Sequence, residues 1–141
     1  MTRVRAARLV LLVAGLFAVG GLAAAQESRL KFEVYKDKAG EFRWRLKAGN
    51  GEVLATGGQG YKAKADAKRG VESVQKASTN PKANFELYED AKKLHRWRLK
   101  ATNGQVIASS SQGYKAKADA EKAIANIKAN AGKAEVTEIK D

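Results

Sequence analysis

The side chains of this chain that could do chemistry are few and mostly cationic. Arg43, Arg45 and Lys47 stand at every second position, and Arg96, Arg98 and Lys100 do so again. Every second residue of an extended strand faces the same way, with about 6.5–7 Å between neighbours. Phosphates along a single nucleic-acid strand have a comparable spacing, so these six residues form a candidate anion-binding face. Tyr35 and Tyr88 have the same outward parity, and bases stack on such rings in single-strand binders. The same face could meet lipid headgroups or an acidic polysaccharide. A purely structural reading competes with all of these. Glu33 and Glu86 lie close enough to offset the cations, and opposite charges across strands stabilise a sheet.

The routes to catalysis are poorly supplied. His95 is the single histidine, and its position reads as a partly buried or edge residue of a strand rather than a base. No serine has a second base to activate it, as nucleophilic catalysis requires. Cysteine is absent, which removes thiol chemistry, cysteine-ligated zinc, iron–sulfur clusters and disulfides. Asp37 and Asp90 fall in turns, where Asp is favoured for backbone reasons. Asp66 and Asp119 fall in first helical turns, where negative charge suits the helix dipole. The loop Gly57-Gly58-Gln59-Gly60 before a helix invites a phosphate reading, but Gly-Lys-Ser/Thr does not follow at the spacing of a phosphate-binding loop. The sequence therefore points to no enzyme, no catalytic residue, no cofactor and no metal.

The elements that place these residues are written twice. Phe32-Glu33-Val34-Tyr35 returns as Phe85-Glu86-Leu87-Tyr88, and Arg43-Trp44-Arg45-Leu46-Lys47-Ala48 returns unchanged from Arg96 to Ala101. Gln59-Gly60-Tyr61-Lys62-Ala63-Lys64-Ala65-Asp66-Ala67 returns from Gln112 to Ala120, at the same offset of 53 residues. Such self-similarity marks a duplication. In each copy an alternating strand (30–36 in the first) is followed by the turn Asp37-Lys38-Ala39-Gly40. A second strand places Phe42, Trp44, Leu46 and Ala48 on the side opposite the cations. Asn50-Gly51 suits a tight hairpin, because both central residues tolerate positive φ, and 52–56 returns as a third strand. The period then becomes helical, with Ala63, Ala67, Val71 and Val74 on one face beside Gly70. The second helix offers Ala116, Ala120, Ala123, Ile124 and Ile127. Both tryptophans read as core. Residues 134–139 end the chain as a short strand.

One unit of about 50 residues buries little surface and is marginal alone. The expected fold is α+β: two tandem β-β-β-α(-β) units sharing one antiparallel sheet, with both helices on one face. The first repeat spans 29–80 and the second 82–141. Ahead of them, Arg3, Arg5 and Arg8 precede an apolar run over 9–19 and the small residues Ala23-Ala24-Ala25. The run is too short for a comfortable membrane span, and the pattern is that of a signal peptide over 1–25, with an uncleaved N-terminal anchor as the alternative. The chain carries 27 Lys and Arg against 15 Asp and Glu. Cleavage removes three arginines and no acid, lowering the net charge from +12 to +9. A periplasmic or extracellular destination follows, and the positive field favours anionic partners.

Arg-Trp-Arg-Leu-Lys-Ala-x-Asn-Gly followed by Gly-Tyr-x-x-Lys-x-x-Ala resembles the YegP-like family (domain of unknown function 1508), in two copies over nearly the whole mature chain. The resemblance implies units of three strands, a helix and a strand, assembled into one sheet with C-terminal strands exchanged, so that 134–139 pairs with the other unit. It implies no activity and no catalytic residues. Members of that family often carry Ser where Ala63 and Ala116 stand, and Ala cannot cap a helix. The function this reading reaches is an exported, non-enzymatic structural or interaction module of the cell envelope. The alternative is a polyanion-binding module whose partner is an anionic envelope polymer or membrane surface, with nucleic acid disfavoured by export. A monomer with an internal pseudo-dimer is the expected state.

Overall fold

The computed structural model describes residues 29–140. The signal peptide expected at 1–25 lies outside the described residues, none of whose helices is long and apolar enough to cross a membrane.

The first copy forms β1 (Lys31–Lys36), β2 (Phe42–Lys47), β3 (Val53–Thr56) and α1 (Lys64–Thr79). The second forms β4 (Asn84–Glu89), β5 (His95–Lys100), β6 (Val106–Ser110) and α2 (Lys117–Asn130), then a 3-10 turn over Ala131–Lys133 and β7 (Glu135–Glu138). All seven strands make one sheet in the order β4-β5-β6-β3-β2-β1-β7. The two halves meet at β3 and β6, where Thr56 pairs with Ser109. These residues are 53 apart and so occupy the same position in each copy. A pseudo-twofold axis therefore passes through that pair.

The strand periodicity explains the layers. Trp44, Leu46, Trp97 and Leu99 are almost fully buried beneath the helices, while the alternate Arg and Lys residues are half-exposed on the other face. Helix α1 contacts β1, β2, β5 and β6, α2 contacts β4 and β5, and the helices touch each other. Within each half a phenylalanine meets a tryptophan edge-on: Phe32 and Trp44 at 5.7 Å, Phe85 and Trp97 at 5.5 Å. Such pairs add to the area they bury. The helices turn Ala67, Val71 and Val74, and Ala120, Ala123, Ile124 and Ile127, into the same core. Sharing that core is what neither copy could do alone.

Three expectations need correction. First, β7 lies parallel to β1, Lys31 opposite Glu135 and Val34 opposite Glu138, so the sheet is mixed rather than wholly antiparallel. The return path explains this. Gln75 Nε2 of α1 donates to the carbonyls of Ala131 (3.0 Å) and Ala134 (3.4 Å), bringing the chain past α1 to the start of β1, from where it can only run alongside. The pairing of this strand with the other copy is as the family resemblance implied. Second, Ala63 and Ala116, which periodicity put on the apolar helix face, are exposed; they stand at the helix starts as the resemblance implied, as N-caps with φ −111° and −108° and no side-chain cap. Third, at Asn50-Gly51 and Asn103-Gly104 only the glycines take positive φ. Asn50 Oδ1 instead accepts from Glu52 N–H at 2.9 Å, Gly51 N–H donates to Ala48 O, and the strand register shifts beyond Leu46. The longer loop absorbs the twist that a two-residue turn would have had to match.

Candidate functional site

The six cations predicted as an anion-binding face do share the open face of the sheet. Arg43, Arg45 and Lys47 lie on β2, and Arg96, Arg98 and Lys100 lie on β5. The intervening strands β6 and β3 place Ser109 and Thr56 between the two ladders.

Each cation already has a carboxylate. Arg43 Nε donates to Asp37 at 2.6 Å and Arg96 Nε to Asp90 at 2.7 Å. Arg45 Nε donates to Glu33 at 2.7 Å, and Lys47 Nζ lies 3.4 Å from the same carboxylate. Arg98 Nε donates to Glu86 at 2.9 Å, with Lys100 Nζ 3.1 Å away. Strand register produces these contacts, because Glu33 is directly opposite Arg45 and Glu86 directly opposite Arg98. Asp37 and Asp90 serve twice. One carboxylate oxygen of Asp37 accepts the Ala39 and Glu41 N–H groups and so builds the turn, while the other holds Arg43. Asp90 repeats this with Lys92, Leu94 and Arg96.

The tyrosine faces are also occupied. Arg45 lies 4.5 Å from the ring centre of Tyr35, and Arg98 lies 4.6 Å from that of Tyr88. This is a cation–π contact made inside the sheet face.

The carboxylates titrate as bound anions. Partial burial pushes Glu33 upward, but the Arg45 hydrogen bond and the Lys47 charge outweigh it and leave the carboxyl below its ordinary value. Arg98 and then Lys100 hold Glu86 down. Asp37 is lowered by the Arg43 hydrogen bond and the Glu41 N–H, and Asp90 by Arg96 and the Leu94 N–H. The Arg43 guanidinium is correspondingly raised by Asp37. A carboxylate in this state is a poor proton acceptor near neutral pH, which bears on acid–base roles.

The remaining candidates are dispersed. His95 opens β5 half-buried, its backbone bonded to that of Tyr114. Asp66 bonds Arg69 on its own helix at 2.7 Å. The Gly57 to Gly60 loop spends Gly57 N–H on Trp44 O at 3.4 Å, and Tyr61 N–H just beyond it on Phe42 O at 2.8 Å. No group of three or more His, Cys, Asp or Glu residues able to hold a metal occurs among the described residues. Sequence reasoning missed the groove flanking this glycine loop. It is lined by Gln59, Arg69, Gln105 and Ile107 among others. The signal available was the difference between the copies, Gly57-Gly58 against Ser110-Ser111.

Fold and charged face together define the protein as a fused pseudo-dimer of a small β-β-β-α unit, whose open sheet face is a duplicated network of internal ion pairs. The chain belongs to the family described as Domain of unknown function (DUF1508), which it matches over residues 37–83 and 90–138. A UPF0339 protein encoded in the ptx operon 5′ region of Stutzerimonas stutzeri is 42% identical over 108 residues, covering 77% of this chain and 95% of that protein. The UPF0339 protein YegP of Shigella flexneri is 38% identical, covering 70% and 87%. Two solution structures share the fold. YegP of Escherichia coli, a protein of unknown function, superposes with TM-score 0.68 at 34% identity over 78% of this chain and 92% of that one. A UPF0339 protein of Shewanella oneidensis gives 0.69 at 30% identity, over 78% and 91%.

Proposed function

We propose that the chain is a non-enzymatic structural and interaction module of the cell envelope. One observation carries the choice over polyanion binding on the ladder: all six ladder cations are paired internally. A phosphate or sulfate arriving at that face meets cations whose charge a neighbouring carboxylate already offsets, so its electrostatic gain is small. Of the recurring carboxylates, Glu33, Asp37, Glu86 and Asp90 are held in the same network, and Asp66 is paired with Arg69 on its helix. The envelope assignment rests on the leader pattern of the sequence.

Two measurements test this reading. Fractionation of the native cell, with N-terminal sequencing of the mature chain, should place it outside the cytoplasm and starting near Gln26. Titration of the purified protein with heparin and with a single-stranded oligonucleotide at low salt should show no binding mapped to β2 and β5. Tight binding there, weakening steeply with salt as counterion release demands, would establish the polyanion alternative instead. A cytoplasmic, unprocessed chain would remove the envelope.

A further inference from the structure

The two halves are built alike but are not closed alike. In the second half the seam between β6 and β3 is sealed. Ser111 N–H donates to Leu54 O at 3.3 Å, the Ser111 hydroxyl bonds Val53 O, and Gln112 bonds the Glu52 carboxylate. Beneath it Trp97 Nε1 and Tyr114 Oη are buried.

Across the pseudo-twofold axis the equivalent residues are Gly58 for Ser111, Ile107 for Leu54, Gln59 for Gln112 and Gln105 for Glu52. No hydrogen bond joins Gly58 to Ile107 among the described residues, glycine has no hydroxyl to reach across, and an amide faces an amide where the other half has an amide and a carboxylate. Gln59 turns aside to Tyr61 Oη at 3.3 Å. The seam stands open as a groove of about 610 Å³. Gly70 stands where the second helix has Ala123, and a methyl there would lie 3.2 Å from both Trp44 Nε1 and Tyr61 Oη. The missing methyl deepens the groove.

The wall groups say what fits. The unbonded backbone edge at Gly58 and Ile107, with the Gln59 and Gln105 amides, offers donors and acceptors side by side, which is what a peptide link presents in return. Val106, 45% exposed, is an apolar contact at the same wall. Arg69 on the helix side is 73% exposed, and its ion-pair partner Asp66 is 47% exposed. That pair is screened by water and worth little, so an incoming carboxylate can share the guanidinium. We propose that this groove binds the C-terminal end of an extended peptide, taking its peptide links between Gly58, Gln59 and Gln105, an apolar last side chain against Val106 and Ile107, and its terminal carboxylate at Arg69. The site occurs once per chain and does not depend on the envelope assignment.

The test is amide chemical-shift mapping on the full chain with three probes: N-acetyl-Ala-Ala-Val with a free carboxylate, the same peptide as its C-terminal amide, and N-acetylglucosamine. The free acid should shift Gly58, Gly70 and Ile107, and bind about tenfold more tightly than the amide, as expected of one charge-assisted contact. Arg69→Gln should erase that difference. Gly58→Ser with Gln105→Glu should rebuild the seal of the second half and abolish the shifts. A side chain at Gly58 meets open space, so the fold should survive, and preserved dispersion of the β1 and β4 signals checks that it does. The proposal falls if the acid causes no shifts at its solubility limit. It falls equally if acid and amide bind alike, if the sealed variant still binds, or if only the sugar binds.

Discussion

The two helices begin without caps, and the duplication makes this a replicated experiment. Ala63 and Ala116 both sit at the N-cap in extended conformation, with ψ 138° and 134°, the backbone geometry of a capping residue without its oxygen. Some first-turn compensation exists: Asp66 N–H reaches back to Ala63 O and Asp119 N–H to Ala116 O, both at 3.1 Å. A serine hydroxyl at either position would accept the N–H of the second or third helical residue, and Asp66 or Asp119 would stand where a capping box has its acid. Caps of this kind are worth about 0.5–2 kcal/mol. Both sites are exposed, and the third-residue N–H groups already have those backbone partners, so the lower half of that range applies. Ala63→Ser and Ala116→Ser should each add about 1 kcal/mol. Lying on separate helices, together they should add about 2 kcal/mol. Urea unfolding is the assay, with an unchanged m-value and a raised midpoint. Ala65→Ser, inside the first turn, is the control and should lose about 0.5 kcal/mol through helix propensity. Should both cap variants behave like that control, the assignment of these alanines as N-caps is wrong.

Other consequences are as direct. Lys93 occupies the left-handed region at φ 67°, where the first copy has Gly40 at φ 84°. Lys93→Gly should stabilise by about 0.5–1 kcal/mol, the relieved strain exceeding the added freedom of the unfolded chain, and Gly40→Lys should lose a similar amount, both read by urea unfolding. Glu138 is pulled from 4.5 to about 2 by Lys68 and then Lys64. A depressed carboxylate contributes fully above its unfolded value, and that contribution is lost as pH falls through the folded one. The protection of β7 amides against hydrogen exchange should therefore fall selectively between pH 4.5 and about 2, and Glu138→Gln should remove that pH dependence. Glu33 and Glu86 hold equivalent partners, but β7 covers the first copy, leaving the Glu33 side chain 8% exposed against 34% for Glu86. Glu33→Gln should cost about 1 kcal/mol in urea and Glu86→Gln less, with equal losses counting against the shielding by β7. The same double replacement should release Arg45, Lys47, Arg98 and Lys100, so the variant should elute from heparin at higher salt than the parent. Co-elution would mean that pairing does not mask the face.

Much of the fold could be read from local pattern because local pattern causes it. The two-residue alternation around Trp44 and Trp97 set the buried face, and the 53-residue offset set the number of units. What escaped depended on contacts distant in sequence. Ala63 continues the apolar spacing of Ala67 and Val71, so periodicity alone placed it in the core, whereas the loop after β3 delivers it to solvent. The direction of β7 follows from where α2 ends relative to α1, which Gln75 fixes from 56 residues away. Neutralisation of the ladder depended on register. Glu33 and Arg45 are 12 residues apart, and only the five-residue turn between β1 and β2 makes them neighbours. Glu33 and Glu86 were recognised as partial offsets. The second role of Asp37 and Asp90 was hidden, because turn chemistry already accounted for an aspartate there.

A duplicated protein separates two kinds of requirement. Whatever a unit needs in order to fold must be present in both copies, since each contributes half of one core. The ion-pair ladders meet that condition residue by residue: Asp37 with Asp90, Glu33 with Glu86, each on matching Arg and Lys partners at matching distances. The edge-on phenylalanine and tryptophan pairs meet it as well. A feature present in one copy alone is under no such demand. Gly58, Gln59, Gly70 and Gln105 form such a feature, since the other copy shows that the same backbone closes readily with Ser111, Gln112, Ala123 and Glu52. A charged face that the unit requires twice is poor evidence for a ligand, however basic it looks in sequence. An opening that the fold does not require, made by residues that forgo bonds their counterparts make, is the better place to look for one.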